Sequence, residues 1–286
     1  MIKTNSRPLV SILMPVYNGG ETFHIAMTSL LIQTLSDWEA IVVDDGSTDS
    51  LFDHFLTEDP RFKLVRHKLN RGRGAARQTA LDHAIGKYIA YLDCDDFYHP
   101  EKLLRQIDFL ERHSEISCMS CGVGCFDEYK RLRRVRPKLN CNGNLYTKGE
   151  RLPFVLAASV IRSCVAKRIE YDTDRNFGED TDYSQRALQG KLYGSVPEIL
   201  YYYGEYGSVT PRKIALSHWT AAKHALSSSQ NPPLSRASQF SISSAKAALV
   251  FLGAPLLPKD FLLDIRGQQP ITEEVTEFER VKALVL

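Results

Sequence analysis

The chain has 286 residues, 43% of them hydrophobic and 24% charged, with 36 basic against 34 acidic side chains. That much apolar material can build a sizeable core and excludes wholesale disorder. A formal charge of +2 provides no strongly basic domain, so nucleic acid is excluded as an expected partner.

The opening MIKTNSRPLVSILMPVYN has a charged start but no cleavable apolar stretch, and no secretory leader is expected there. Residues 9–14 form a short apolar run that stops at Pro15. A second run, 38–43, stops at Asp44-Asp45-Gly46; a third covers 62–65; a fourth, 88–92, stops at Asp93. Helical patterns lie between and beside them, at 21–33, 50–56 and 74–85. Strands apolar on both faces and separated by helices indicate a parallel sheet with crossover helices. Beyond Pro100 the pattern gives a helix over 101–111 and a strand over 116–126. Residues 129–148 are basic, rich in Asn and Gly and without periodicity, which reads as a loop or hairpin. A helix entered from Gly178 covers 179–188, and 196–203 forms a last strand. The Ser- and Pro-rich stretch 227–244 reads as a linker or exposed loop, followed by a helical C-terminal part.

In a sheet of this kind ligands bind beyond the carboxyl ends of the strands. Four polar segments fall there: Pro15-Val16-Tyr17-Asn18, Asp44 to Asp49, Asn70 to Gly74, and Asp93-Cys94-Asp95-Asp96. Alternation in an extended segment would put Asp93 and Asp95 on one side. Two hard oxygen ligands facing a pocket suit Mg²⁺ or Mn²⁺, which share their coordination with phosphate. The plain alternative is a polar turn in which Asp96 caps the next helix. In the DDGSTD turn Gly46 permits a tight bend and Thr48 or Asp49 can cap a helix. Two acids at the strand end exceed that need, and a carboxylate there can accept from a ribose hydroxyl or a base N–H. Arg71, Arg73 and Arg77, spaced by Gly72, Gly74 and two alanines, open the next helix. Backbone amides, the helix dipole and guanidinium groups together suit a diphosphate.

SILMPVYN at 11–18, DDGSTD at 44–49, NRGRGAAR at 70–77 and YLDCDDFYHPEKL at 91–103 together resemble family 2 glycosyltransferases. Gly178-Glu179-Asp180 looks like that family's catalytic Glu-Asp helix start, and VPEILYYY at 196–203 is similar to the strand after it. The resemblance covers 9–125 closely and 159–210 more loosely. It implies an α/β glycosyltransferase A fold: a Rossmann-like, mainly parallel sheet flanked by helices, with a helical C-terminal extension. It also implies a catalytic domain over 1–210 and an extension over 211–286. The implied activity is inverting transfer of a sugar from a nucleotide-sugar donor, UDP-linked by preference, in a metal-dependent reaction using Mn²⁺ or Mg²⁺. Pro15 and Tyr17 would then line the nucleotide pocket, Asp45 would contact the base and Arg73 would approach the diphosphate. Asp93 would face the ribose or donor sugar and share the metal with Asp95. Asp180 would be the general base, with Glu179 orienting the acceptor or the base.

Departures from the pattern sharpen the expectation. Gln185-Arg186-Ala187-Leu188 lacks the Gln-x-x-Arg-Trp signature of processive members, and Gly204-Glu205 stands where many members carry an Arg before a Ser-Val-Ser segment. Two other classes stay open, a nucleotidyltransferase and a non-catalytic sugar-nucleotide-binding protein. The first should carry a Gly-rich loop with Arg and Lys after strand one, which VYNGGETF lacks. Cys118, Cys121 and Cys125 fall inside a strand with no nearby His and read as buried thiols. Six scattered cysteines suit a reducing cytoplasm, and the apolar run 247–258 is far short of the ~20 residues that span a bilayer. The expected acceptor is a saccharide or lipid-linked saccharide of surface-polysaccharide or lipopolysaccharide assembly. The C-terminal helices are left open to homodimerisation or to peripheral contact with a membrane surface.

Overall fold

The apolar runs of the first half become strands β1 (Val10–Val16), β2 (Trp38–Asp44), β3 (Phe62–Arg66) and β4 (Tyr88–Tyr91). They pair in parallel in the order β3-β2-β1-β4, with Val10 opposite Trp38 and Tyr88. The computed structural model describes residues 7–49, 59–136, 138–147, 152–175, 178–205, 215, 219, 222, 233–253 and 267–286. The helical pattern at 50–56 and the segment 206–210 lie outside these.

Helices cover both faces of the sheet, as strands buried on both sides require. In α1 (Gly20–Leu31) the residues Phe23, Ala26, Met27 and Leu30, spaced i, i+3, i+4 and i+7, are all buried. They pack with Val10, Ile12, Met14 and Val16 of β1 in one core. In α2 (Arg73–His83) the small residues Ala76 and Ala80 pack with Leu13, Ile41 and Val43 in a second core on the opposite face. Alternation along β1 thus feeds both layers.

The second half extends the same sheet with mixed directions. After the two-residue β5 (Phe97–Tyr98) and α3 (Lys102–Arg112) comes β6 (Ile116–Phe126), buried along its whole length. The full path is β3-β2-β1-β4-β9-β6-β10-β5, where β9 is Val160–Arg162 and β10 is Leu192–Gly204. β10 runs parallel to β6, while β9 is antiparallel to both β4 and β6. The last strand therefore starts four residues before its apolar core 196–203. Its amino-terminal part, Leu192 to Ser195, lies between β6 and a strand at Cys141–Leu145.

Two readings change. The segment 129–148 carries β7 (Leu132–Val135) and β8 (Cys141–Leu145), which pair with β6 and β10 rather than with each other. Of the stretch read as linker or loop at 227–244, residues 233–244 belong to a helix, Pro233–Gly253; 227–232 lie outside the described residues. Pro233 stands in the first described turn of this helix, a place where proline is tolerated, and Ser238 and Ser241 take the exposed side. A short α4 (Ser163–Ala166) and then α5 (Glu179–Leu188) precede β10. With Pro233–Gly253 as α6, the final α7 (Thr272–Val285) brings Phe278, Val281 and Val285 against Phe97, Phe126 and Tyr202.

Candidate active site

The strand-end turns of β1 and β2 are tied together by Asn18 and Ser47. Asn18 adopts a left-handed conformation (φ 51°). Its Oδ1 accepts from the amides of Thr48 at 2.8 Å and Asp49 at 3.3 Å, while its own amide donates to Ser47 Oγ at 3.0 Å. Gly46 has φ +74°, and a Cβ there would meet the Leu69 carbonyl carbon at 2.6 Å. Only glycine fits this bend. Beside the turns lies a cavity of about 600 Å³ at the carboxyl ends of β1 to β3, whose wall includes Tyr17, Asp44, Ser47, Arg66, His67 and Asn70. Tyr17 is exposed and Pro15, in β1, is half-buried. Arg66 pairs with Asp44 at 2.8 Å.

Asp45, expected at the base, lies behind that wall at 3% exposure. Its Oδ1 takes His67 Nδ1 at 2.7 Å and the Arg71 amide at 3.0 Å; its Oδ2 takes the Gly72 amide at 2.8 Å. Asp45 therefore fixes the loop leading into α2. The same bonds use two of the amides read from sequence as part of a diphosphate site. Arg71 and Arg73 remain exposed, and Arg77 is buried at 6%.

Asp93 to Asp96 form a turn rather than an extended segment, with the Asp96 amide donating to the Asp93 carbonyl at 3.1 Å. Alternation consequently does not place Asp93 and Asp95. Nor does Asp96 cap the next helix. It is fully buried, accepts a short hydrogen bond from the Tyr201 hydroxyl and takes the Gly204 amide at 2.7 Å. It thus anchors β10 to the acidic turn. Burial, with Asp95 and Asp93 adding repulsion, pushes its carboxyl well above the usual range. Burial and Asp93 likewise raise Asp95 to about 6.

The acids of α5 reach the same sheet edge. Gly178, at φ 71°, turns the chain into the helix so that Glu179, Asp180 and Asp182 stand in its first turn, where the dipole favours negative charge. Glu179 points inward at 1% exposure and Asp180 is half-buried. Asp180 Oδ1 accepts from the Thr181 amide at 2.7 Å. Between the two acidic segments lies Arg77, whose Nη2 donates to Asp93 Oδ1 at 2.7 Å and whose Nη1 makes a short bond to Glu179 Oε1. Arg73 Nε stands 3.7 Å from the same Glu179 oxygen. Burial raises the Glu179 carboxyl and Arg77 opposes the rise. Arg77 is the residue whose role the sequence misassigned. Its flanking Ala76 and Ala80, on the apolar side of α2, were the signal that it points inward.

The acidic edge suits a divalent cation held jointly with phosphate. Among the described residues no group of three His, Cys, Asp or Glu side chains could hold an ion by itself. Two carboxylates completed by phosphate oxygens and water are the donor set that Mg²⁺ or Mn²⁺ takes. The raised Asp95 carboxyl is one that a neighbouring cation would ionise.

The model of "Glycosyl transferase family 2" matches residues 11–166. EpsE of Bacillus subtilis (strain 168), a protein named as a glycosyltransferase, is 33% identical over 208 residues, 69% of this chain and 73% of its own length. The UDP-Glc:alpha-D-GlcNAc-diphosphoundecaprenol beta-1,3-glucosyltransferase WfgD of Escherichia coli is 40% identical over 107 residues, 37% of this chain and 42% of WfgD. In structure the chain is similar to S. aureus TarS 1–349 in complex with UDP (TM-score 0.64, 19% identity, 96% of this chain and 82% of that one). It is also similar to the mannosyltransferase PcManGT of Pyrobaculum calidifontis in complex with GDP-Man and Mn²⁺ (TM-score 0.61, 16% identity, 98% and 86%). These likenesses show a glycosyltransferase A fold.

Proposed function

Because the chain belongs to glycosyl transferase family 2, we propose that it moves a sugar, with inversion, from a nucleotide-diphosphate donor to a hydroxyl acceptor. The observation that carries this reading is Arg77. It joins the strand-end acid Asp93 to the helix-start acid Glu179, so donor-side and acceptor-side carboxylates share one edge of the sheet.

In this reading the nucleoside occupies the cavity beside Pro15 and Tyr17, and Asp45 sets the loop that forms its wall. Asp93 and Asp95 hold Mn²⁺ or Mg²⁺, which when bound neutralises charge developing on the leaving diphosphate. Arg73, exposed at the start of α2, adds a guanidinium on the same side. Inversion requires a base on the opposite face of the anomeric carbon. Asp180 takes the proton of the acceptor hydroxyl there, with Glu179 beside it. A UDP-linked donor is favoured by the named donor of WfgD and the UDP complex of TarS. The lipid-linked saccharide acceptor named for WfgD supports a similar acceptor, and polysaccharide assembly, for this chain. Among the described residues no helix is long and apolar enough to cross a membrane, so a lipid-linked acceptor would be met from the membrane surface.

Two substitutions test the division of labour. Asp95→Asn is expected to abolish transfer and weaken metal-dependent nucleotide binding. Asp180→Asn is expected to abolish transfer while leaving that binding nearly intact, as read by calorimetry with UDP and Mn²⁺. Turnover like the wild type in either variant overturns the assignment.

A further inference from the structure

We propose that Glu179 acts on the donor side of the reaction: through Arg77 it sets the charge that Asp93 presents to a divalent cation. This rests on the reading of Asp93 and Asp95 as cation ligands and departs from the expectation that Glu179 orients the acceptor.

Glu179 is 1% exposed, so an acceptor at the surface of the cleft does not reach it. Its Oε1 is taken by the Arg77 guanidinium, and the other arm of that guanidinium holds Asp93 Oδ1 at 2.7 Å. Arg77 is itself buried, which leaves its charge poorly screened by solvent. Exposed Arg73, 3.7 Å from Glu179, adds a weaker, solvated cation. The cluster Asp93, Asp95, Glu179 and Arg77 sums to two net negative charges when all are ionised. Neutralising Glu179 leaves one, and Arg77 then bears undivided on Asp93. A cation arriving at Asp93 competes with Arg77 for the same carboxylate. Glu179 lowers the cost of that competition by keeping the guanidinium partly satisfied elsewhere. It is a positioning residue.

The test needs neither the donor sugar nor the acceptor. Mn²⁺ affinity is measured by calorimetry in the presence of saturating UDP for wild type, Glu179→Gln, and the double variant Arg77→Met/Glu179→Gln, with melting temperature recorded for each. Glu179→Gln is expected to weaken Mn²⁺ about tenfold, the scale of one unit charge acting across a partly buried site. The double variant restores two net negative charges and frees Asp93, so it is expected to return within about threefold of wild type on that same basis. A purely structural role moves the melting temperature without this recovery, and an acceptor-orienting role leaves Mn²⁺ affinity unchanged. Either result overturns the proposal. The double variant removes Arg77 together with Glu179, so no buried guanidinium is left with half of its partners missing. Should Glu179→Gln not fold, Glu179→Asp takes its place: drawing the carboxylate back from Arg77 is expected to weaken Mn²⁺ by more than about threefold, and affinity within that range of wild type overturns the proposal. Wild type that takes up no Mn²⁺ with UDP overturns the cation site itself and this proposal with it, an outcome distinct from equal binding by wild type and variant.

Discussion

Tyr171 is buried at 4% exposure, and its ring lies flat on Tyr183 at 3.9 Å. Its hydroxyl has no hydrogen-bond partner among the described residues, although Tyr183, Arg77, Asp180 and Glu179 all act on it electrostatically. A buried hydroxyl left unpaired costs about 1–3 kcal/mol. Tyr171→Phe keeps the stacked ring and is expected to raise unfolding free energy by about 1 kcal/mol, measured by urea denaturation. A fall of that size would mean the hydroxyl is bonded in solution. Single residues also mark the limit of what the chain discloses. Asp93, Asp95, Glu179 and Asp180 could be singled out because acids at strand ends and helix starts have few structural reasons to be there. Arg77 differs from Arg71 and Arg73 in sequence only by the alanines beside it. All three are basic residues near one helix start, and only packing against α5 shows which of them is buried between carboxylates.

At the scale of elements, α7 packs over the β5 end of the sheet. Phe278 is fully buried and meets Phe97, Phe126 and Tyr202, with ring centroids 6.0, 5.8 and 5.2 Å away. Phe278→Ala is expected to cost about 3–5 kcal/mol, read as a lower denaturation midpoint. Its sequence neighbour Glu277 is held down to about 2, first by Arg280 and then by His99 on the β5–α3 connection. A carboxyl depressed by folding stabilises above its unfolded value and loses that contribution as the pH falls through its folded value. The docking of α7 is therefore expected to weaken between pH 4.5, the ordinary glutamate value, and about 2. Amide exchange over 272–285 should then accelerate ahead of the sheet. Unchanged protection of 272–285 relative to the sheet across that window would remove the ion pair from the account. Elements with strong periodicity were legible: α5 begins where Gly178 announces it, and β6 spans the apolar run 116–126. The strands at 132–135 and 141–145 were not resolved, because each is half-polar and earns its place through partners distant in sequence. Residues 233–244 misled through Ser and Pro, which are compatible with a helix when Pro stands in its first turn.

At the scale of the whole molecule, a parallel half that builds the cavity is joined to a mixed half that delivers the α5 acids. Beside the β4–β9 ladder, Asp96 and Arg77 are two of the buried links between them. A ligand using both halves should stabilise the whole chain by mass action. With Mn²⁺ and a matching nucleotide-sugar at a hundred times the dissociation constant, about 2.7 kcal/mol is expected. A thermal-shift panel of UDP- and GDP-sugars reads this as a raised melting temperature, and a response identical with and without Mn²⁺ would count against the shared cation.

The sequence by itself determined the alternation of strands and helices, the family, and the acids at the sheet edge. These are local signals, set by hydrophobic period and by residue types standing next to one another. Tertiary structure decided what each polar group faces. Asp45 accepts from the loop into α2, Asp96 holds β10 rather than capping a helix, and Arg77, one of three basic residues at a helix start, bridges two acids. Burial and partnership depend on chain segments 16 to 108 residues apart in these cases, and no local pattern of charge encodes which of them will meet.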